Sequence, residues 1–385
     1  MNLKDLQTYG QSIWLDSIRR DLLTGGQLAR LVKEDGVRGV TTNPAIFEKA
    51  IAGSNLYDAS LERHVRTKDA PASFLYEQLA IEDIQQAADV LRVVYDATDK
   101  RDGYISMEVS PRFAHDTAGT LDEARRLWRE VNRENLMIKV PATPEGIPAI
   151  AELTSEGINV NITLLFSREG CRKVFEAYMS GLEAILRRGG QIRHMASVAS
   201  MFVSRIDAMV DPQLEARAAA TSDGLRSPIR DLIGKVAIAN AKLAYQDWKT
   251  TCQGERWQAL AKQGGREQRL LWASTGTKDP HFRDLLDVEC LIGPQTVDTI
   301  PPPTLDALRD HGIAENRLEQ GIDDAKEVMA TLAREGISLD AITRQLLDDG
   351  VKSFASAFDE LLASIEAKRQ GVLERLKKAQ PAATA

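Results

Sequence analysis

The sequence has few of the residues on which disulfide frameworks and histidine-based metal centres depend. Its three cysteines, Cys171, Cys252 and Cys290, are odd in number and share no close spacing, so they indicate neither a disulfide framework nor a zinc site. The five histidines are scattered and form no His-x-His or His-Glu-x-x-His pattern. We therefore expect no metal site and no metal-dependent chemistry.

Long hydrophobic runs are also missing. No stretch approaches the length of a membrane span, and the first residues contain no basic segment followed by an apolar run. The formal net charge of −7 argues against a protein whose main ligand is a nucleic acid. We expect a cytoplasmic protein that binds neither membranes nor nucleic acids, while local basic pockets for small anions remain open.

What the sequence does contain is an alternation of short apolar runs with amphipathic helical stretches. Seven strand candidates and a weaker eighth lie at residues 12–16, 37–43, 104–110, 135–142, 158–166, 194–200, 270–275 and within 290–301. Apolar residues recur at helical spacing over 81–94, 121–131 and 174–186. Alternation of this kind indicates a parallel sheet, either closed as a barrel or open and doubly wound.

Two observations favour the closed barrel. The number of strand candidates is the one that a (β/α)8 TIM barrel needs. The Gly-x-Gly-x-x-Gly sequence that is typical of an open dinucleotide-binding fold follows none of them. We predict a single domain over 1–379, with the barrel at about 10–310, about two long helices within 203–268 and a helical C-terminal extension over 319–379. The tail, 380–385, is predicted to be disordered.

Polar residues stand at the ends of seven successive strand candidates, where a β/α barrel carries its chemistry. In chain order they are Asp16, Thr41, Thr42, Asn43, Glu108, Lys139, Asn161, Thr163, Ser197, Ser200, Arg205, Ser274, Thr275 and Lys278. Lys139 is the most unusual, because it lies near the end of an otherwise apolar strand candidate, two residues before Pro141. Burying a lysine is costly unless its ammonium gains a partner.

Each of these residues has an ordinary structural explanation when it is taken singly. Asp16 could cap the next helix, Thr-Thr-Asn-Pro could be a turn, and Glu108 and Lys139 could form an ion pair across adjacent strands. Asn161 and Thr163 could satisfy buried backbone groups. Taken together they are harder to explain, because the interior of a barrel prefers bulky branched residues and buried polar groups are costly without a partner or ligand.

The lysine suggests a specific chemistry. A partly desolvated amine can lose its proton near neutral pH and attack a carbonyl carbon, which forms a Schiff base. Neighbouring carboxylates can then move protons during carbinolamine formation and carbon–carbon cleavage. Lys139 is therefore a candidate nucleophile, with Glu108 and Asp16 as candidate acid and base groups.

Six blocks of the sequence resemble the signature segments of the transaldolases, most closely those of the bacterial subfamily with longer chains. They read GVTTNPAIFEKAI, SMEVSPRFAHDT, LMIKVPATPEGIPAI, GINVNITLLFS, SVASMFVSRID and WASTGTKDP, in that order. The resemblance implies a β/α barrel that transfers a dihydroxyacetone unit from a ketose phosphate to an aldose phosphate in the non-oxidative pentose phosphate pathway. The transfer runs through a lysine Schiff base, without a metal or an organic cofactor.

The resemblance also implies roles for individual residues. Lys139 matches the Schiff-base lysine, Glu108 the carboxylate that works through a catalytic water, and Asp16 the carboxylate that handles the hydroxyl proton when the carbon–carbon bond breaks or forms. The implied substrate-binding residues are Thr41, Asn43, Asn161, Thr163, Ser200, Phe202, Arg205, Ser274 and Lys278. Those that would hold the dihydroxyacetone unit and the water are Asn43, Asn161 and Thr163.

The phosphate site shows two departures from the family pattern. Ser200 and Arg205 match the phosphate-binding pair, and a guanidinium group can grip a phosphate through two hydrogen bonds. After the seventh strand, however, many shorter members place an arginine where this chain offers Lys278 and Ser274. Asp279 stands where we expect asparagine from the subfamily, and its charge could weaken phosphate binding if it pointed inward.

Two other functions remain open. A Schiff-base aldolase that releases free dihydroxyacetone would share the lysine and the barrel, but it would need no acceptor aldose phosphate. A non-catalytic barrel that binds sugar phosphates would need neither the lysine nor the carboxylates. The sequence also leaves open whether the protein is a monomer or a homodimer.

Overall fold

A computed structural model of the chain describes residues 1–68, 70–221 and 228–379. Eight parallel strands close into one barrel, in which each strand pairs with the next and the last pairs with the first. They are β1 (Gln11–Asp16), β2 (Gly39–Thr41), β3 (Tyr104–Glu108), β4 (Leu136–Pro141), β5 (Val160–Leu165), β6 (Ser197–Phe202), β7 (Arg269–Ala273) and β8 (Thr296–Ile300). The predicted (β/α)8 barrel is confirmed. The single domain over 1–379 stays a prediction, and the tail at 380–385 lies outside the described residues.

Helices surround the barrel, and a long one ends the described chain. They are α1 (Asp5–Thr8), α2 (Arg20–Thr24), α3 (Gln27–Arg30), α4 (Pro44–Ala52), α5 (Asp58–Thr67), α6 (Ala72–Ala97), α7 (Thr117–Val131), α8 (Gly146–Ser155), α9 (Arg168–Arg187), α10 (Ser204–Ala220), α11 (Val236–Gln253), α12 (Glu255–Lys262), α13 (Leu286–Cys290), α14 (Pro302–His311), α15 (Ile322–Arg334) and α16 (Leu339–Ala379). A π-helical turn at Leu31–Asp35 follows α3, and a 3-10 turn at Pro111–Phe113 follows β3. The predicted helical C-terminal extension is confirmed. Among the described residues, every helix is too short or too polar to cross a membrane.

The strands are buried on both faces, because helices cover the outside of the barrel and side chains fill its interior. All six residues of β4 are buried, including Lys139. Close packing also explains Gly39 in β2. A Cβ atom at that position would lie 2.4 Å from the ring of Trp14 on β1, so only glycine lets the indole fit there.

Side-chain hydrogen bonds lie at the starts of two helices on the same end of the barrel. Asn43 Oδ1 accepts a hydrogen bond from the Ile46 backbone N–H at 3.0 Å and so caps α4. Thr143 Oγ1 accepts from the Gly146 N–H at 3.0 Å. The helix after β4 begins at Gly146, so Pro144 lies in the turn before it.

The long C-terminal helix α16 packs onto the barrel. It contacts α4, α5, α6, α10, the 3-10 turn and strand β5. Its Phe358 ring lies 5.6 Å from the ring of Tyr76 in an edge-to-face arrangement. Further along, Lys368 Nζ donates hydrogen bonds to the Ser54 carbonyl and the Asp58 carboxylate, both at 2.7 Å. The helix is thus held at several points along its length.

Candidate active site

Three polar side chains meet in one layer at the C-terminal end of the barrel. Lys139 on β4 pairs in register with Glu108 on β3 and with Asn161 on β5. Lys139 Nζ lies 3.3 Å from Oε2 of Glu108, and the two side chains are only 6% and 5% exposed. The same nitrogen donates a hydrogen bond to the Thr42 backbone carbonyl at 3.0 Å. The amine is therefore buried beside a carboxyl group and oriented by one carbonyl.

Glu108 has an incomplete set of partners. Within the described residues, its Oε2 atom accepts no well-aligned hydrogen bond although it is fully buried. Burial raises the pKa of Glu108 to about 7, with a further contribution from Asp16, while Lys139 acts in the opposite direction. A carboxyl group that titrates near neutral pH can accept and donate a proton in the same reaction.

Asp16 is supported by a pair of hydroxyl groups. Thr41 Oγ1 donates to Asp16 Oδ1 at 2.7 Å and lies 2.5 Å from Thr299 Oγ1 on β8. Since the proton of Thr41 is used in this way, Thr299 donates to Thr41. Burial raises the pKa of Asp16, and the charge of Lys139 and the Thr41 hydrogen bond reduce that rise. Asp16 caps no helix, because the next one begins at Arg20.

The amide of Asn161 is fixed at both ends. Its Nδ2 donates to Ser106 Oγ at 2.9 Å, and its Oδ1 accepts from Ser200 Oγ at 2.6 Å. These bonds link β3, β5 and β6 across the barrel interior. Thr163, two residues further along β5, is fully buried and its Oγ1 has no hydrogen-bond partner in the described chain. Asn161 is thus positioned by protein contacts, whereas the Thr163 hydroxyl has unused hydrogen-bonding capacity.

The backbone is irregular at the ends of two strands. The pairing of β5 with β6 shifts register between Ile162 and Leu165, and Leu164 has a φ of +58°. Ser274, just after β7, has a φ of +56°, and its Oγ lies 3.0 Å from Ser204 Oγ. Residues other than glycine rarely adopt this region, and a bulge such as the one in β5 changes the direction of neighbouring side chains. Strained backbone of this kind is typical of functional sites.

Arg205 follows β6 and has no carboxylate partner in the part of the chain that the structure describes. Its guanidinium carbon lies 5.2 Å from the ring centroid of Phe202, which packs on Phe166 at 5.3 Å. The side chain is half-buried, and burial lowers the pKa of Arg205. Within the described residues it forms no ion pair, so its charge is available to an anion.

Lys278 lies in different surroundings. It is exposed and lines a cavity of about 270 Å³ together with Asp207 and Asp287, a cavity that Arg205 does not line. Burial raises the pKa of Asp207 to about 8 and that of Asp287 to about 7. Among the described residues, these carboxyl groups and all other potential ligands form no cluster that could hold a metal ion. Lys278 thus lies among carboxyl groups, in a cavity whose lining does not include Arg205.

Asp279, which departs from the family pattern, interacts with its own loop. Its Oδ1 accepts a hydrogen bond from the His281 backbone N–H at 2.9 Å and lies 2.7 Å from Nδ1 of the same residue. These hydrogen bonds lower the pKa of Asp279. The carboxylate is thus paired locally.

Three contacts in the site were missed by the sequence reasoning. Ser106 holds the amide of Asn161, and Thr299 supports Thr41. A period-two reading of β8 could have found Thr299, because Val297 and Thr299 share one face of that strand. The third contact is Phe354 on α16, whose ring centroid lies 5.8 Å from Lys139 Nζ. No local pattern signals it, since helix and strand are far apart in the chain.

Comparisons with known proteins point in one direction. The model of the transaldolase/fructose-6-phosphate aldolase family matches residues 13–365. The chain is 47% identical to transaldolase 2 of Nostoc sp., over 95% of this chain and 97% of the relative. It is 49% identical to the transaldolase of Thiobacillus denitrificans, over 95% of this chain and 100% of the relative. It is 43% identical to the transaldolase of Neisseria gonorrhoeae, over 94% and 99%.

Proposed function

Because the chain belongs to the transaldolase/fructose-6-phosphate aldolase family, we propose that it transfers a dihydroxyacetone unit between sugar phosphates through a Schiff base on Lys139. The donor is sedoheptulose 7-phosphate or fructose 6-phosphate, and the acceptor is glyceraldehyde 3-phosphate or erythrose 4-phosphate. The resemblance to the transaldolases, which are transferases, is confirmed at the level of the family. The place of this reaction is the non-oxidative pentose phosphate pathway.

One observation carries the proposal: a buried lysine amine lies 3.3 Å from a carboxyl group whose pKa burial raises to about 7. The amine attacks the ketone carbon of the donor and forms a carbinolamine, which loses water to give an imine. Glu108 passes protons to and from the oxygen that leaves, through a water molecule that its Oε2, which accepts no well-aligned hydrogen bond within the described residues, would hold. A carboxyl group with a pKa far below neutrality would be a poor acid for this step.

Asp16 then drives the cleavage. It removes the proton from the donor hydroxyl next to the scissile bond, the carbon–carbon bond breaks, and the aldose phosphate leaves. The electron pair of the broken bond remains on dihydroxyacetone as an enamine attached to Lys139. The acceptor aldehyde reverses these steps, and Asp16 returns the proton to the new hydroxyl. The Thr41 hydrogen bond holds the carboxylate in one orientation during both steps.

The remaining residues would bind the two ends of the substrate. We assign the dihydroxyacetone end to Thr41, Asn43, Asn161 and Thr163. The Thr163 hydroxyl has no hydrogen-bond partner among the residues that the structure describes. We assign the phosphate to Arg205 with Ser200, beside Phe202, because Arg205 lacks a carboxylate partner among the described residues. Ser274 and Lys278 would form an outer phosphate contact, and the exposure of Lys278 makes it the weaker of the cationic groups.

A second candidate function is aldol cleavage with release of free dihydroxyacetone, because the matching family model also covers fructose-6-phosphate aldolases. The two functions share Lys139 and differ in the fate of the enamine. Consumption of fructose 6-phosphate that depends on added erythrose 4-phosphate supports transfer. Consumption that runs equally fast without any acceptor supports the aldolase.

Borohydride trapping tests the Schiff base directly. The protein is incubated with fructose 6-phosphate, reduced and digested, and the modified peptide is located by mass spectrometry. We expect a dihydroxyacetone-derived adduct on Lys139 and none on the exposed Lys278. An unmodified Lys139 in folded protein, while a known transaldolase reacts alongside, would refute the Schiff-base mechanism. Cytoplasmic location and a monomeric or homodimeric state stay predictions.

A further inference from the structure

The C-terminal helix brings an aromatic ring to the proposed nucleophile. Phe354 on α16 is only 5% exposed, and its ring centroid lies 5.8 Å from Lys139 Nζ. One turn earlier, α16 comes so close to the barrel that a Cβ atom at Gly350 would lie 2.8 Å from the Leu164 side chain at the end of β5. The helix therefore approaches the open end of the barrel at the level of the active site.

Contacts on either side of Phe354 hold the ring in place. One turn later, Phe358 packs on Tyr76, and Arg112 forms an ion pair at 2.6 Å with the neighbouring Asp359. The exposed ion pair adds little free energy, so the packing of the buried rings fixes the helix. Phe354 thus has a defined position over the lysine and makes no contact that the catalytic steps described above require.

We propose that Phe354 shields the Lys139 enamine from water and so favours transfer to an acceptor over release of dihydroxyacetone. The inference rests on the proposed Schiff-base function. It assigns to a residue outside the barrel an influence on how the enamine divides between transfer to an acceptor and release of dihydroxyacetone.

The reaction that competes with transfer is hydrolysis of the enamine on Lys139. Once the aldose phosphate has left, protonation of the enamine carbon gives an iminium ion. Water then adds to the iminium carbon, the carbon–nitrogen bond breaks, and dihydroxyacetone and the free Lys139 amine form. The proton taken up at carbon is balanced by the one lost from water, so the net reaction consumes one water molecule. A ring that excludes water slows both the protonation and the addition.

Two matched variants test the role. Phe354→Leu removes the aromatic face over Lys139, and Phe358→Leu makes the same change one turn away, where the ring packs on Tyr76. For each variant and the parent, we would measure the ratio of dihydroxyacetone release to transfer, with fructose 6-phosphate as donor and erythrose 4-phosphate as acceptor. We expect the ratio to rise about tenfold in Phe354→Leu and to stay near the parent value in Phe358→Leu.

Borohydride trapping of Lys139 in the same three proteins separates this inference from the proposed function. An adduct in all three with an unchanged ratio in Phe354→Leu would overturn only the shielding role, and so would an equal rise in both variants, which would indicate general loosening of α16. An absent adduct in the parent would instead overturn the Schiff base. If Phe354→Leu does not fold, Phe354→Met, which nearly conserves the side-chain volume, replaces it with the same expectation.

A second readout follows the protonation step alone. In D2O without an acceptor, the enamine that remains on Lys139 takes up deuterium at the carbon that becomes protonated. We expect Phe354→Leu to speed this incorporation relative to Phe358→Leu, while the yield of the reduced Lys139 adduct stays the same. Equal incorporation in the two variants would argue that Phe354 contributes to helix packing only.

Discussion

The two ends of the barrel both bury charged groups, but they treat them in opposite ways. At the N-terminal end, Asp102 accepts hydrogen bonds from Ser12 at 2.7 Å, Trp14 at 3.2 Å and Arg269 at 2.8 Å. Burial would raise the pKa of Asp102, yet the charge and hydrogen bond of Arg269 and the hydrogen bond of Ser12 outweigh it and bring that pKa below its ordinary value. The buried charge is fully compensated there.

At the C-terminal end, the compensation is incomplete. Lys139 faces Glu108, whose Oε2 has no well-aligned donor within the described residues, and burial raises the pKa of both Glu108 and Asp16. The same strands supply both ends, since β1 carries Ser12 at its start and Asp16 at its finish. The difference teaches that burial alone does not make a site reactive. A site becomes reactive where buried charges are brought together without all the partners that would satisfy them.

Changing Lys139 should produce the largest effect on activity. Lys139→Met removes the amine but keeps a side chain of similar length, and Lys139→Arg keeps the charge without being able to form an imine. We expect both to lose roughly 10⁴-fold or more in kcat/KM for transfer, because covalent catalysis disappears. Near-parent activity in either variant would contradict the mechanism, and circular dichroism would verify that the barrel is folded.

Removing a charge at the N-terminal end of the barrel, where buried charges are compensated, should lower stability rather than activity. Asp102→Asn leaves the buried Arg269 without its charge partner, and removing one member of a buried ion pair costs about 3–5 kcal/mol. We expect urea denaturation to give a free energy of unfolding that is lower by this amount, with the kcat of the folded protein within about twofold of the parent. If Asp102→Asn lowered kcat as strongly as it lowered stability, the two ends of the barrel would be coupled and the comparison would fail.

Glu108→Gln should change stability in a pH-dependent way. Unlike Asp102→Asn, it should become more stable relative to the parent as the pH rises. Because burial raises the pKa of Glu108 from 4.5 to about 7, its contribution to stability is complete below pH 4.5 and is lost as the pH rises through 7. Glutamine does not ionise, so the unfolding free energy of the variant relative to the parent should increase by about 2 kcal/mol between pH 5 and pH 8. The slope is diagnostic, since a constant offset from the altered Lys139 contact does not change it. If the difference in unfolding free energy between variant and parent did not change with pH, Glu108 would have its ordinary pKa.

The sequence allowed the barrel to be predicted because alternation of strands and helices has few solutions. It also placed Lys139, Glu108 and Asp16 at strand ends, and the structure brings these three together. Side chains carried by loops and distant helices could not be placed in the same way. Phe354 reaches Lys139 only through the packing of α16, and the strand period does not determine which way Lys278 points.

The smallest effects on activity are expected from the two cationic residues assigned to the phosphate. Arg205 is half-buried without a carboxylate partner in the described chain, whereas Lys278 is exposed and lines a cavity with Asp207 and Asp287. We expect Arg205→Ala to raise KM for fructose 6-phosphate about 10- to 100-fold, because a charge-assisted hydrogen bond contributes about 1.5–3 kcal/mol. Borohydride trapping with unphosphorylated dihydroxyacetone should be affected much less.

Lys278→Ala should change the same KM by less than about threefold, because an exposed charge is screened by solvent and, here, by neighbouring carboxyl groups. Raising the ionic strength should reduce even this difference, while the effect of Arg205→Ala persists. A KM that rises as much in Lys278→Ala as in Arg205→Ala would mean that the loop after β7 turns its lysine toward the substrate when sugar phosphate binds. In that case Lys278 would occupy the acidic cavity only while no substrate is bound. The phosphate would then have to compete for Lys278 with the carboxyl groups that line this cavity.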